Sequence, residues 1–132
     1  MRRLKLRSNE QGTALIEFAI AVPILVTLIY GIFQFGLVLF ASAGIQHGLG
    51  EGARRATLFP TPSDAAIKST MEDSVFGIYI GTLGTTSVTT PATSVCTNCR
   101  LLTINYSVTP NFIFFAGSPI TLTRTKQVYV AA

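Results

Sequence analysis

The chain has no tryptophan, one histidine, two cysteines and little charge: only 12% of its 132 residues are Asp, Glu, Lys or Arg. Each shortage excludes something. A soluble globular domain carries roughly 25% charged residues, so the deficit points to a segment that does not face water. His47 stands alone, and Cys96 and Cys99 have no further ligand nearby, so no cluster has metal-site spacing. No glycine-rich turn follows a strand to cradle a phosphate. The length leaves room for one modest domain plus a membrane segment, and none for a large enzyme core. The expectation is a protein that is not an enzyme and uses no cofactor or metal.

The net charge of +4 raises nucleic acid as a partner, and its placement argues against it. Four of the ten basic residues (Arg2, Arg3, Lys5, Arg7) and one of the six acids, Glu10, lie in the first twelve positions. The remainder holds six bases against five acids, a net +1. A basic cluster beside an apolar run reads as the cytoplasmic flank of a membrane helix.

Between Glu10 and Glu51 the only formal charge is Glu17. Phe18 to Phe40 is an apolar run of 23 residues, and about 20 suffice to span a bilayer as a helix. A secretory apolar core is shorter, about 7 to 15 residues. Ala41-Ser42-Ala43 does resemble a signal-peptidase site, and cleavage there is the rival reading. The uncharged stretch continues to Gly50, long enough for a helix of roughly 50 Å against about 30 Å of hydrocarbon. The surplus is expected to emerge as a stalk, outside the membrane from about Gly44. This divides the chain into a cytoplasmic leader (1–12), a transmembrane helix and stalk (13–57) and an extracytoplasmic domain (58–132).

Within the stalk, Gly44, Gly48 and Gly52 share one helical face. Small residues at that spacing let another helix approach closely. They also weaken a helix, each by up to about 1 kcal/mol against Ala. A packed but bendable stalk satisfies both readings. Pro23 predicts a kink or irregularity in the spanning helix.

The long helix is expected to end between Ala56 and Phe59. Thr61-Pro62-Ser63-Asp64 then offers a Thr cap, Pro at the first helical position and an acid at the third. Ile67, Met71, Val75 and Ile78 form the apolar stripe of a second helix, closed by Gly81 and Gly84. Three strands follow: one from about Thr85 to Thr90, a half-buried one around Leu102, Ile104, Tyr106 and Val108, and a last from Ile120 to Val130. In the last, Arg124 and Lys126 interrupt the apolar alternation, so the strand either bulges there or leaves that face partly solvated. The fold class is α+β: a long N-terminal transmembrane helix, a short amphipathic helix and a small antiparallel sheet of about three strands, pilin-like in layout.

Phe112-Ile113-Phe114-Phe115 lies between strands. Such a run either plugs the core beneath the second helix, the preferred reading for so small a sheet, or forms a contact patch for a partner or the membrane surface. Cys96 and Cys99 sit in a Thr/Pro-rich loop, not at a helix start beside a βαβ unit, which favours a structural disulfide over redox chemistry. His47 reads as a solvated or interface residue.

That leaves Glu17, a carboxylate at the lip of a membrane-length segment and costly there. The bland reading is that it marks the membrane edge. If the chain is cut after Gly12, however, Thr13 gains a free ammonium and Glu17 becomes the fifth residue, on the same helical face. Pairing the two offsets the cost of either charge in lipid. Between two chains, such a pair fixes their axial stagger.

These residues carry a resemblance. A basic leader, Gly12, Glu17-Phe18 and an apolar helix resemble the processing signal of type IV pilin-like proteins. Gly12-Thr-Ala-Leu-Ile-Glu-Phe-Ala-Ile-Ala-Val-Pro23, Tyr30-Gly-Ile-Phe-Gln-Phe-Gly36 and Glu51-Gly-Ala-Arg54 resemble, more specifically, the TadE-like family, the minor pilins of tight-adherence pilus systems. The resemblance covers residues 10 to 56; beyond, only the layout is similar. It implies that Gly12 and Thr13 flank a peptidase cleavage site and that Glu17 and Phe18 serve recognition and assembly. It implies as partners a prepilin peptidase, an inner-membrane assembly platform with its ATPase, and other pilins, besides membrane lipid. It implies a single-pass inner-membrane precursor that reaches a pilus or the cell surface after processing. The domain beyond the helix fits a minor subunit better than the bulk filament. The alternative is an envelope-anchored binding or adhesin domain that never enters a filament.

Overall fold

The computed structural model describes residues 10–91, 96, 98–112 and 115–130, with the side chains of Glu10 and Gln11 left aside. The leader's Arg2, Arg3, Lys5 and Arg7, and Ile113 and Phe114 of the aromatic run, lie outside the described residues.

One helix dominates. α1 runs from Glu10 to Ala56 without interruption at Pro23. Thr27 Oγ1 donates to the Pro23 carbonyl at 2.7 Å, a back-bond within the same stretch. α1 is long and apolar enough to cross a membrane. Its second half does not form a stalk beneath the domain. Val38, Ala41, Ile45, Leu49, Ala53 and Ala56 are buried at steps of three and four, the stripe of a helix packed on a core. The globular head therefore starts inside α1, near Val38.

α2 (Asp64–Asp73) lies across this half of α1. Its cap is Ser63 and not Thr61: the Ser63 hydroxyl accepts from the Ala66 amide at 3.2 Å. Pro62 thus precedes the helix, and Asp64 occupies the first turn, where its charge suits the helix dipole. Ile67 and Met71 are fully buried. Val75 and Ile78 cover the core as expected, but from beyond the helix, which ends at Ser74. Ser74 closes the helix, its amide bonded back to Thr70 and Glu72, and the chain then turns at Gly77, at φ +73°. Any side chain there would be strained and would strike the Phe40 ring. Gly81 and Gly84, expected to close the helix, lie in the first strand.

The sheet has the order β1–β2–β5, all antiparallel: β1 (Gly81–Thr89), β2 (Cys99–Val108) and β5 (Ile120–Tyr129). β1 starts earlier than the Thr-rich run suggested, and its register slips between Leu83 and Thr86. β2 is central, and Leu102, Ile104, Tyr106 and Val108 are buried beneath the helices. β2 and β5 pair in unbroken register from Cys99↔Tyr129 to Val108↔Ile120, so no bulge absorbs Arg124 and Lys126. Both are exposed at the edge of α1, and Arg124 Nη2 donates to Ser42 Oγ at 3.2 Å. The other face of the sheet carries Thr121, Thr123 and Thr125, with Thr123 Oγ1 donating to Asn105 at 2.8 Å.

A two-residue ladder, β3 (Asn111–Phe112) with β4 (Phe115–Ala116), forms a separate hairpin between β2 and β5. It does not plug the core under α2. Phe112 stacks on Phe115 with ring centres 4.8 Å apart and faces Gly31 of α1. The hydrogen bond that fixes the hairpin on α1, Gln34 to Asn111, joins residues 77 positions apart, beyond any local pattern.

Candidate processing and assembly segment

Among the described residues, the segment from Gly12 to Phe33 is a helix without neighbours until the hairpin is reached. Leu15, Ile16, Phe18, Ile20, Ile24, Leu28, Ile29 and Phe33 are all more than half exposed. In water such a helix would bare an unbroken apolar surface, far larger than a stable monomer leaves open. The solvent it suits is lipid or other apolar helices.

Gly12, Thr13, Glu17 and Phe18 sit at the start of this bare stretch, already helical. Nothing lies within 4 Å of where a Cβ would stand at Gly12. The peptide Gly12–Thr13 is thus unobstructed by the rest of the described chain. Thr13 and Glu17 are one turn apart in a regular helix and share a face. Glu17 is exposed, and among the described residues nothing donates to or pairs with its carboxylate. A carboxylate at this place needs a cation from elsewhere: a new terminus, a second chain or the headgroup layer.

At the other end of α1 the glycines have a definite task. Gly44, Gly48 and Gly52 lie beneath α2 and the turn that follows it. A Cβ on Gly44 would overlap the Phe76 backbone carbonyl. On Gly48 it would meet Val75 Cγ2 at 2.6 Å and the Met71 carbonyl at 2.8 Å, and on Gly52 the Met71 side chain. Gly50, off this face, has nothing within 4 Å. The close approach seen here is therefore within the chain. Phe76 is held between Phe40 and His47, each 5.4 Å away ring to ring, and His47 Nδ1 is 3.1 Å from the Ser74 carbonyl.

Glu51-Gly-Ala-Arg54 combines three local roles. Gly52 admits Met71, Ala53 is buried in the core, and Glu51 pairs with Arg54 at 3.0 Å on the outer face. Cys96 and Cys99 are joined by a disulfide and buried at the entry to β2. Beside it, Arg100 reaches Asp64 of α2 at 3.0 Å and Thr90 at 3.2 Å, tying the sheet to the α2 N-terminus. Among the described residues no group of His, Cys, Asp and Glu could hold a metal ion.

Sequence reasoning missed Gln34. It is buried, and its amide donates to the Tyr30 hydroxyl at 2.9 Å and to the Asn111 carbonyl at 3.1 Å. A lone amide in an apolar run was the available signal, because such a group needs partners when desolvated.

Fold and segment together define a class: an α+β head whose core helix continues as a bare apolar helix of membrane-spanning length. The family model of TadE-like proteins matches residues 12–54, the helix from the glycine before Thr13 to the Glu51–Arg54 pair. Neither a curated protein nor a solved structure matches the chain.

Proposed function

We propose that the chain is a minor pilin of a tight-adherence pilus, made as an inner-membrane precursor and cut by a prepilin peptidase between Gly12 and Thr13. The observation that carries the reading is the placement of Gly12, Glu17 and Phe18 at the accessible start of a bare helix that matches the TadE-like family. Cleavage removes the basic leader and frees the Thr13 ammonium one turn below Glu17. Two opposite charges in lipid attract far more strongly than in water, so mispaired registers are costly. An ammonium of one subunit against Glu17 of the next sets their stagger as the helix leaves the membrane for an assembly. In this reading the assembly platform with its ATPase moves the subunit, other pilins receive it, and the head is displayed outside for assembly and surface adhesion.

An anchored binding module that stays in the membrane shares the same helix and head and differs in processing. Co-expression with a prepilin peptidase discriminates the two by intact mass. The expected product lacks the first 12 residues, and Gly12→Val stays full length, because the added side chains block the peptidase subsite. A wild-type chain that keeps its full mass with an active peptidase present contradicts the pilin reading.

A further inference from the structure

We infer that the β3–β4 hairpin is a lipid-seated foot: Phe112 and Phe115, with Phe35 and Ile120, face the acyl chains at the outer edge of the bilayer and set the height of the head above it. The inference rests on α1 crossing the membrane. Its first support is distance along that helix. At 1.5 Å per residue, Gly31 stands roughly 27 Å from Thr13 and roughly 21 Å from Glu17. The hydrocarbon is about 30 Å thick. Whether Thr13 or Glu17 marks the inner edge, the outer edge falls between about Phe33 and Leu37. That is the stretch of α1 on which the hairpin sits, since Phe112 faces Gly31 and the Asn111 carbonyl accepts from Gln34.

The second support is the surface itself. Phe35 is 65% exposed, Phe115 59% and Ile120 41%; Phe35 and Ile120 line one cleft with Phe112, on whose ring Phe115 stacks. Between hairpin and helix lies an apolar cleft of about 220 Å³ lined by Gly31, Gln34, Phe35, Val38, Phe112 and Ile120. Its helical wall, Gly31, Gln34 and Phe35, belongs to the stretch of α1 placed at the outer edge of the bilayer, where an acyl chain can reach it.

The third support is how the polar groups are handled. Irregular backbone at membrane depth must have its hydrogen bonds met. Here Asn111 and Phe112 pair with Ala116 and Phe115, the Gly117 amide donates to the Pro110 carbonyl at 2.8 Å, and Gln34 satisfies Asn111. The Tyr30 hydroxyl accepts from the same Gln34 amide, so both groups are partnered within the chain.

The absence of native tryptophan makes the test clean. The full chain is reconstituted in phosphatidylcholine–phosphatidylglycerol vesicles as three single-tryptophan variants: Phe115→Trp, Ile24→Trp and Tyr79→Trp. Tyr79 is 85% exposed on the head and serves as the aqueous reference. Lipids brominated near the headgroup or near the chain end act as quenchers. Phe115→Trp is expected to emit to the blue of Tyr79→Trp and to be quenched severalfold more by the shallow bromines than by the deep ones. Ile24→Trp is expected to be quenched best by the deep bromines.

A Phe115→Trp signal that matches Tyr79→Trp while Ile24→Trp is quenched overturns the foot and leaves the anchor standing. An unquenched Ile24→Trp overturns both. A blue-shifted but unquenched Phe115→Trp whose shift fades as protein is diluted into lipid assigns the patch to a second copy and equally overturns the foot.

Discussion

The two halves of α1 are one helix in two solvents. Residues 12–33 have no stripe: apolar side chains point outward all round and are exposed. Residues 38–56 have a strict one, with Ala41, Ile45, Leu49, Ala53 and Ala56 turned inward and Gln46, His47, Arg54 and Arg55 turned out. A helix apolar on every side needs an apolar surround, whereas a striped one needs one partner. The glycines mark the change. Gly12 has nothing within 4 Å and Gly31 would make only ordinary contact with the Phe112 ring, while Gly44, Gly48 and Gly52 lie tight against α2 and its C-terminal turn. Three glycines of the upper half admit a packed neighbour that any side chain would strike, because that half is folded against its own chain.

Changes in the two halves should therefore fail differently. Glu17→Ala should abolish incorporation into pili while leaving cleavage and the head's thermal unfolding unchanged, since Glu17 touches nothing in the head. Counting pili by microscopy alongside intact mass separates these, and normal pili in the variant would remove the register role. Gly44→Val should do the reverse. Its branched side chain overlaps the Phe76 backbone, which cannot swing aside as a side chain could, so a loss at or above the usual ~1–3 kcal/mol of overpacking is expected. Limited proteolysis should then cut between α2 and β1, and cleavage after Gly12 should persist. Gly50→Ala is the matched control. With open space around it, it should stabilise the head by up to about 1 kcal/mol through helix propensity alone.

Smaller effects sharpen the picture of the head. Cys96→Ser opens a very short loop, and chain entropy assigns its closure about 2 kcal/mol. The variant's denaturation midpoint should match that of reduced wild type if the bond, and not the thiol, matters. Tyr106 is fully buried on β2, and among the described residues its hydroxyl has no partner. Burial holds its phenol above the ordinary value near 10. With the folded value the higher one, the contribution of neutral Tyr106 is intact below pH ~10 and is lost as pH climbs through the raised value. Tyr106→Phe should leave neutral-pH stability unchanged or slightly higher and flatten that alkaline decline, read from urea unfolding across pH.

Much of this was legible from periodicity. The spacing of Leu102, Ile104, Tyr106 and Val108 defines a strand with one buried face, and the charge-free run defines α1. What escaped was decided by contacts far apart in sequence or by rival local options. Thr61 and Ser63 are both competent caps, and only the path of the chain puts the Ser63 hydroxyl within reach of Ala66. Val75 and Ile78 continue a helical spacing, but the helix is capped at Ser74 before either is reached. Phe112 has the composition of a core residue, yet its partner is Gly31, on the bare half of α1. Glu17 was legible for a different reason: a lone carboxylate in an apolar field needs no fold to be conspicuous, only the physics of burying a charge.

The central claim is that Glu17 acquires its partner when the peptide after Gly12 is cut. The most direct test is the N-terminal sequence of the protein recovered from piliated cells. The account predicts a chain beginning at Thr13. A chain that retains Met1 in such cells, or one that begins at Gly44, would contradict it.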